Sequence, residues 1–274
     1  MDTFKEKTAL ITGASSGIGL ALAHELASRG AHVILTARSG DKLEAEAETI
    51  RAAGNKAYAY TADLTVPGSA EKLYSEITGD GLAIDLLINN AGYGRWGGFA
   101  EFPRSDYAQM IQLNITSLTE LCHLAIPDMV SRGGGGVINI GSTASFLPVP
   151  FASVYSASKA YVLMFSEALR YEYAEQGVRI MTVCPGATAT KFSAVASEKS
   201  STDLQSINAK LAEAGKQGDS SESVAKEGLD AFLEDQVYVV TGKGNRKFAL
   251  LPRLLSRRQA LKIAGDAFRK RVAK

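Results

Sequence analysis

Residues 7–38, KTALITGASSGIGLALAHELASRGAHVILTAR, decide the fold class of this chain. TALITGA is a short apolar run that ends in a small-residue turn, which is typical of a buried strand. GLALAHELASRGA follows with apolar residues at helical spacing, and Gly30 is placed to end that helix. HVILTAR is a second apolar run of strand length. The order strand, helix, strand predicts an α/β fold built around a parallel sheet.

The same alternation continues along the chain. Further strands are predicted in KAYAYTADL (56–64), IDLLINNAG (84–92), GVINIGS (136–142), RIMTVCPG (179–186) and VYVVTG (237–242). We therefore predict a Rossmann-like doubly wound parallel sheet of about seven strands, with helices on both faces. Residues 1–244 are predicted to form one domain, and residues 245–274 a basic, amphipathic helical extension.

The composition is that of a soluble globular protein, since 46% of the 274 residues are hydrophobic and 22% are charged. Cys122 and Cys184 lack metal-ligand and redox spacing, which favours reduced thiols in a cytosolic protein, although a single long-range disulfide stays open. No apolar run is long enough to span a bilayer, and a strand begins too early to leave room for a signal peptide. We expect a cytoplasmic location. The three histidines show no metal spacing, so no metal site is expected.

The turn between the first strand and the first helix, TGASSGIG (12–19), has the composition of a phosphate-binding loop. Its glycines allow the backbone to approach a phosphate, and the helix start directs N–H groups and a positive dipole end at an anion. The spacing is G-x-x-x-G-x-G rather than the commoner G-x-G-x-x-G. Ordinary loop chemistry is the alternative, but the position between strand and helix favours dinucleotide binding. The predicted contacts are Gly13, Ser15, Ser16, Gly17, Ile18 and Gly19.

The end of the second strand indicates which dinucleotide is bound. An NAD site usually has an acid there, which binds the ribose hydroxyls. This chain has Arg38 and Ser39 instead. A guanidinium suits a 2′-phosphate, so the sequence favours NADPH or NADP+ over NADH. A solvated loop arginine is the alternative reading.

Together with motifs further along, these residues resemble the short-chain dehydrogenase/reductase family in its single-domain branch. Ser142 precedes Tyr155 by thirteen residues, which is the usual interval in that family. Single motifs of this kind are weak, but here they occur together and in the order of the family. The matching positions are Thr12, Gly13, Gly17, Ile18 and Gly19, Asp63, Asn89 to Gly92, Asn114, Ser142, Tyr155, Lys159, Pro185 and Gly186.

The resemblance implies a catalytic set of Asn114, Ser142, Tyr155 and Lys159. Tyr155 is the expected general acid for ketone reduction and the general base for alcohol oxidation. Lys159 lies one helical turn away and is expected to favour the phenolate by lowering the pKa of Tyr155. Ser142 is expected to donate to the carbonyl oxygen. By resemblance, Asn114 anchors a water that relays protons, although an Asn in a helical stretch could also serve only to kink or cap it.

The family also implies further cofactor contacts. Tyr155 and Lys159 are expected to face the nicotinamide end, with Lys159 bonding its ribose. The predicted neighbours of the adenine are Asp63 and Leu64, those of the adenosine ribose are Asn90, Ala91 and Gly92, and those of the carboxamide are Pro185, Gly186 and Thr188, with Thr190 as a phosphate contact. Family members usually form homodimers or homotetramers through the helices after the fourth and fifth strands.

The substrate is expected to be a small molecule. We predict NADPH-dependent reduction of a hydrophobic or acyl-type ketone to a secondary alcohol. An NADP-dependent alcohol or hydroxysteroid-type dehydrogenase in the oxidative direction is the alternative, as is a non-catalytic NADP(H)-binding protein. Residues 189–219 are expected to form a lid over the site. The candidate apolar walls are Tyr93, Trp96, Phe99, Phe146, Val149, Phe151 and Phe192.

The last segment differs in charge from the rest. Residues 243–274 carry eleven Lys and Arg against one acid, so this tail has a charge of +10 and the remainder −9. Ser256 is placed to cap a helix in which Ala260, Leu261, Ala264, Ala267, Phe268 and Val272 share one side. The tail is expected either to pack on its own or a neighbouring subunit, with its basic face meeting the acidic body, or to touch an anionic membrane. No nucleic acid partner is expected, because no reading module accompanies the charge.

Overall fold

A computed structural model of the chain describes residues 1–188, 190, 192, 219–242 and 244–272, with the side chains at 248, 251–253 and 267–272 left aside. The predicted lid, 189–219, therefore lies outside the described residues except at Thr190, Phe192 and Asp219.

The sheet has seven parallel strands in the order β3-β2-β1-β4-β5-β6-β7, which confirms the predicted fold class. The order reverses direction between β1 and β4, so the sheet is doubly wound. The strands are β1 (Thr8–Thr12), β2 (His32–Ala37), β3 (Ala57–Thr61), β4 (Leu86–Asn89), β5 (Gly135–Ile140), β6 (Val178–Cys184) and β7 (Tyr238–Val240).

Helices cover both faces of this sheet. One face carries α1, α2 and α7, and the other carries α3, α5 and α6. The described helices are α1 (Gly17–Ser28), α2 (Gly40–Ala52), α3 (Ser69–Gly79), α4 (Arg104–Ile111), α5 (Ser117–Ser131), α6 (Ser153–Tyr173), α7 (Ser221–Leu233), α8 (Arg246–Leu254) and α9 (Arg257–Val272). None of these helices is long and apolar enough to cross a membrane.

Most residues of the central strands are apolar because these strands are buried on two faces, whereas the edge strand β3 is mostly half-buried. In β1, Ala9 and Ile11 belong to the cluster under α1 and α7, whereas Leu10 belongs to the cluster under α3 and α5. Successive side chains of a strand point to opposite faces, so a strand between two helical layers needs apolar residues at every position. The uninterrupted run in the sequence is the direct result.

The C-terminal extension forms two helices, α8 and α9. Ser256 caps α9 as predicted: its hydroxyl accepts from the N–H of Gln259 at 3.3 Å, and the Gln259 side chain accepts from the N–H of Ser256 at 2.9 Å. This reciprocal pair is a capping box. Pro252 lies within α8, which ends two residues later at Leu254.

Candidate active site

The predicted motifs converge at the carboxyl edge of the sheet. The glycine turn follows β1, Asn90 follows β4, Ser142 follows β5 and Pro185 follows β6. Ligands of doubly wound folds bind beyond this edge, at the point where the strand order reverses. In this sheet the strand order reverses between β1 and β4.

The glycine turn has a conformation that side chains would disturb. Gly13 and Gly17 have φ of +67° and +60°, in the left-handed region that favours glycine. A Cβ on Gly13 would also lie 2.9 Å from Asn90 Nδ2. Asn90 itself pins the two turns together, since its side chain donates to the Thr12 carbonyl at 2.8 Å. The turn therefore depends on its glycines, and it exposes backbone to any ligand above it.

The start of α1 fits a bound phosphate. Ser16 occupies the position before the helix, is exposed, and makes no side-chain bond to it. Thr190 lies against the turn, because its Cγ2 would be 3.1 Å from a Cβ on Gly17. A free hydroxyl, free helical N–H groups and a positive dipole end are what an anionic dinucleotide requires. The residues present fit such a cofactor.

Arg38 and Ser39 are exposed directly after β2, the strand that pairs with β1. Burial raises the pKa of the Tyr93 phenol, and the positive charges of Arg95 and Arg38 oppose that shift. Arg38 therefore acts electrostatically on the loop after β4. Asp63 uses its carboxylate locally, accepting from the N–H of Thr65 at 3.0 Å and so fixing the turn after β3.

The Tyr and Lys four residues apart are both buried on α6. Lys159 Nζ donates to the Ile140 carbonyl at 2.7 Å and lies 6.0 Å from the centre of the Tyr155 ring. Ser142, two residues after β5, lies close enough to the Tyr155 side chain to lower the pKa of its phenol. The structure thus brings Ser142, Tyr155 and Lys159 together, although Lys159 is bonded to the strand rather than to the phenol.

The expected lowering of the phenol pKa is wrong for the protein on its own. Burial raises the pKa of Tyr155 to about 12, and the Ser142 side chain opposes only part of that shift. Burial also lowers the pKa of Lys159 to about 8, because the ammonium loses its hydration and no described carboxylate offsets that loss. Desolvation outweighs the attraction that the four-residue spacing suggested.

Asn114 lies in a π-helical turn, Gln112–Thr116, between α4 and α5. Its amide donates to the Tyr93 carbonyl at 2.9 Å and to the Ser158 hydroxyl at 3.1 Å, while its oxygen accepts from the Tyr93 N–H at 3.1 Å. Ser158 donates in turn to the Tyr155 carbonyl at 2.7 Å. Asn114 therefore ties the loop after β4 to the helix that carries Tyr155. Single π-helical turns are frequent at functional sites.

Two aromatic rings flank Tyr155. The ring centres of Trp96 and Phe192 lie 5.7 and 5.5 Å from that of Tyr155. Gly94 packs on the same phenol, and a Cβ there would lie 3.2 Å from its Cδ2. Because the three rings come from separate parts of the chain, only the fold brings them together.

The predicted pocket walls divide into two groups. Tyr93, Trp96, Val149 and Phe192 join the cluster around Tyr155. The structure does not bring Phe99 or Phe146 into it: Phe99 stacks on Tyr107 at the surface, and Phe146 packs on Tyr238 near β7. Phe151 holds the neighbouring turn, where its carbonyl accepts from Gly97 at 2.8 Å.

Sequence reasoning missed a buried ion pair beside this cluster. Arg95 Nε lies 3.0 Å from Asp106 Oδ2, and both side chains are buried. The Tyr93 hydroxyl donates to the carbonyl of the same Asp106 at 2.8 Å. Arg95 in YGRWGG and Asp106 in RSDY were both visible in the sequence, but nothing there indicated that the two charges would meet.

The turn after β6 is in contact with the start of the C-terminal extension. The Pro185 carbonyl accepts from the Thr143 N–H at 2.9 Å, so this turn is joined to the one that carries Ser142. Asn245 packs against Gly186 and donates to the Asp219 carboxylate at 3.0 Å. Thr188 and Asp219 form a single parallel bridge. The two ends of the segment 189–219 therefore meet beside the predicted carboxamide contacts.

Comparison with known proteins bears on the same residues. The family model described as short chain dehydrogenase matches residues 7–201. Ketoacyl reductase HetN from Nostoc is 39% identical over 186 residues, which cover 68% of this chain and 65% of that relative, so the match spans less than two thirds of its length.

Two solved structures are also similar. A short-chain dehydrogenase from Sphingobium yanoikuyae in complex with NADPH is 32% identical with a TM-score of 0.77, over 90% of this chain and 93% of that one. A short-chain dehydrogenase/reductase from Burkholderia phymatum in complex with NAD is 26% identical with a TM-score of 0.84, over 93% and 95%. With its glycine turn, its seven parallel strands and this match, the chain belongs to the short-chain dehydrogenase/reductase family, whose members are oxidoreductases that act on CH–OH or C=O groups.

Proposed function

We propose that this protein reduces a ketone to a secondary alcohol with NADPH. The observation that carries the proposal is the meeting of Ser142, Tyr155 and Lys159 beside the glycine turn, at the edge where cofactors of this fold bind. The bound cofactor supplies the hydride for the carbonyl carbon. Protein groups supply the proton and the stabilisation of charge on the carbonyl oxygen.

Tyr155 is the proposed proton donor. A pKa of about 12 keeps its phenol protonated at neutral pH, as donation to a ketone oxygen requires. The Ser142 hydroxyl donates to the same oxygen as negative charge develops there. Lys159, with a pKa of about 8, exchanges a proton close to neutral pH and is the proposed source of the proton that restores the phenol, although its ammonium donates to the Ile140 carbonyl in the protein alone. Asn114 positions the helix by its bond to Ser158.

Arg38 is the proposed determinant of the NADPH preference. Its exposed guanidinium follows β2, at the ribose end of the crevice, and no acid takes that place. A 2′-phosphate gives the guanidinium a doubly charged partner, which NADH lacks. The other proposed cofactor contacts are those of the turns after β1, β3, β4 and β6.

The substrate class follows from the cluster around Tyr155. Trp96, Phe192 and Val149 give the phenol an apolar surround, which suits a hydrophobic or acyl-type ketone. The description of HetN as a ketoacyl reductase supports the same class. An apolar wall also excludes water from a developing alkoxide.

Turnover of NADPH with a panel of ketones tests the proposal. Tyr155→Phe removes the proton donor, so the rate should fall by roughly 10²–10⁴-fold while NADPH still binds. Tyr171→Phe is the matched control on the same helix, because Tyr171 is 89% exposed. The panel is also run as alcohols with NADP+ and NAD+. A Tyr155→Phe enzyme as fast as Tyr171→Phe would refute the assignment.

A homodimer or homotetramer is the proposed assembly. Met164 and Tyr171 are exposed on α6, one of the helices through which family members usually associate. Multi-angle light scattering at micromolar concentration tests this, and a monomer mass under those conditions would contradict it.

A further inference from the structure

The two helices of the extension attach to the body through small residues. Ala249 of α8 is buried with Leu163, Cys184 and Val240, and Ala260 of α9 is also buried. Gly265 faces Pro150, whose Cγ would lie 3.6 Å from a Cβ on that glycine. Small side chains allow a helix to lie close to its support. They also leave the larger residues of the helix at its flanks or outside.

Four larger apolar residues among the described side chains of these helices are exposed. Leu250 and Leu254 of α8 are 53% and 84% exposed, and Leu261 and Ile263 of α9 are each 48% exposed. The sequence placed Leu261 on the same side as Ala260, but the structure leaves it half outside, because one residue along a helix turns the side chain by about 100°. Exposed apolar groups concentrated on one element mark an interaction surface.

The same two helices carry exposed cations. Lys247, Arg257, Arg258 and Lys262 are exposed, and none of them forms an ion pair with a described side chain. Arg246, at the start of α8, does reach the body, where it binds Glu227 at 2.7 Å. These four residues therefore do not meet the acidic body of their own chain through ion pairs with described side chains, and contact with a neighbouring subunit stays a prediction.

We propose that α8 and α9, here called the C-terminal hairpin, dock on an anionic lipid bilayer. The leucines and Ile263 enter the interface between headgroups and acyl chains, and the cations lie among the lipid phosphates. The remainder of the chain has a net charge of −9, so an anionic surface attracts the hairpin and repels the body. That asymmetry fixes which side of the protein faces the membrane.

A bilayer suits this surface better than a second copy of the chain. The acidic body of another copy would satisfy the cations, but its large exposed apolar residues, such as Val66, Phe99 and Met164, are distributed over separate elements rather than gathered opposite two helices. A free polyanion would leave the same leucines in water. Only a partner that is apolar beneath an anionic layer uses both sets of groups at once.

Cosedimentation with vesicles tests the proposal independently of any enzyme activity. The full-length protein is mixed with vesicles of phosphatidylcholine containing phosphatidylglycerol, and with vesicles of phosphatidylcholine alone, at low and at physiological salt. We expect sedimentation with the anionic vesicles, weaker at higher salt because the charges are screened. Protein that stays in the supernatant with anionic vesicles at both salt concentrations overturns the proposal.

Two double variants separate the contributions. Leu250→Ser with Leu254→Ser, and Arg257→Glu with Arg258→Glu, should each weaken the apparent affinity by about tenfold or more. Val66→Ser is the matched control, because Val66 is 52% exposed on the body. Unchanged thermal midpoints show that the variants fold. Binding that survives the serine variant refutes insertion, and a dimer that this variant dissociates assigns the surface to a second copy instead.

Discussion

Replacing Lys159 by methionine should make the protein inactive. At neutral pH it should also remove the destabilising effect of the buried ammonium. Lys159 is buried, and its nearest polar partner is a carbonyl rather than a carboxylate. The ammonium therefore lost its hydration without gaining an opposite charge. Methionine has a similar length and no charge, so it fills the same space.

The structure gives the size of the effect. The pKa of Lys159 falls from 10.5 to about 8 on folding, which corresponds to about 3 kcal/mol at pH values below both. Between the two values the unfolded chain binds more protons than the folded chain, so the stability of the wild type rises with pH. The difference between variant and wild type should therefore shift by about 2 kcal/mol against the variant from pH 7 to pH 10.

Loss of the bond to Ile140 adds a cost of about 1–3 kcal/mol to the variant and reduces its advantage at pH 7. The pH dependence of the difference is therefore the sharper measurement. Urea unfolding at the two pH values measures it, with exposed Lys42→Met as the control for loss of a lysine. A difference that does not change with pH would show that the ammonium of Lys159 is not desolvated, and would refute the reasoning.

Three further changes have defined outcomes. Arg38→Asp should weaken NADPH binding by about 10- to 100-fold and NADH binding far less, as titration of intrinsic fluorescence would show; equal losses would exclude Arg38 as the discriminator. Gly13→Ala forces a Cβ to 2.9 Å from Asn90 Nδ2 and should lower the unfolding free energy by about 1–3 kcal/mol and prevent NADPH binding; full binding would contradict the role of the turn. Asp106→Ala leaves Arg95 buried without its carboxylate and should cost about 3–5 kcal/mol in urea unfolding, which a loss within experimental error would refute.

The sheet was predictable because its central strands are buried on both faces. Leu10 and Ile11 belong to clusters on opposite faces, so apolar residues follow one another along β1 and the run stands out between helical segments. The Tyr and Lys spacing was equally informative, since positions four apart share a helix face. Each of these features depends on neighbouring residues in the chain.

The ionisation of the same residues was not predictable in this way. Desolvation of Tyr155 depends on Trp96 and Phe192, which approach it from the loop after β4 and the segment after β6. The hairpin shows the same limit. Its amphipathic pattern was visible in the sequence. However, close packing against the body buries Ala249 and Ala260, whereas hydrophobicity alone would predict that the leucines are buried.

The ionisation states bear on the direction of the reaction. With a pKa of about 12 for Tyr155 and about 8 for Lys159, the protein at neutral pH holds a phenol and mostly an ammonium, both of which are proton donors. Reduction of a ketone consumes a proton at the carbonyl oxygen, and oxidation of an alcohol requires a base there. Burial favours the neutral phenol of Tyr155 but disfavours the ammonium of Lys159, which stays mostly protonated at pH 7 only because its lowered pKa still lies above that pH. Oxidation would need the phenolate, which burial disfavours in the protein without its cofactor, and the phenol form of Tyr155 therefore supports the proposed reduction.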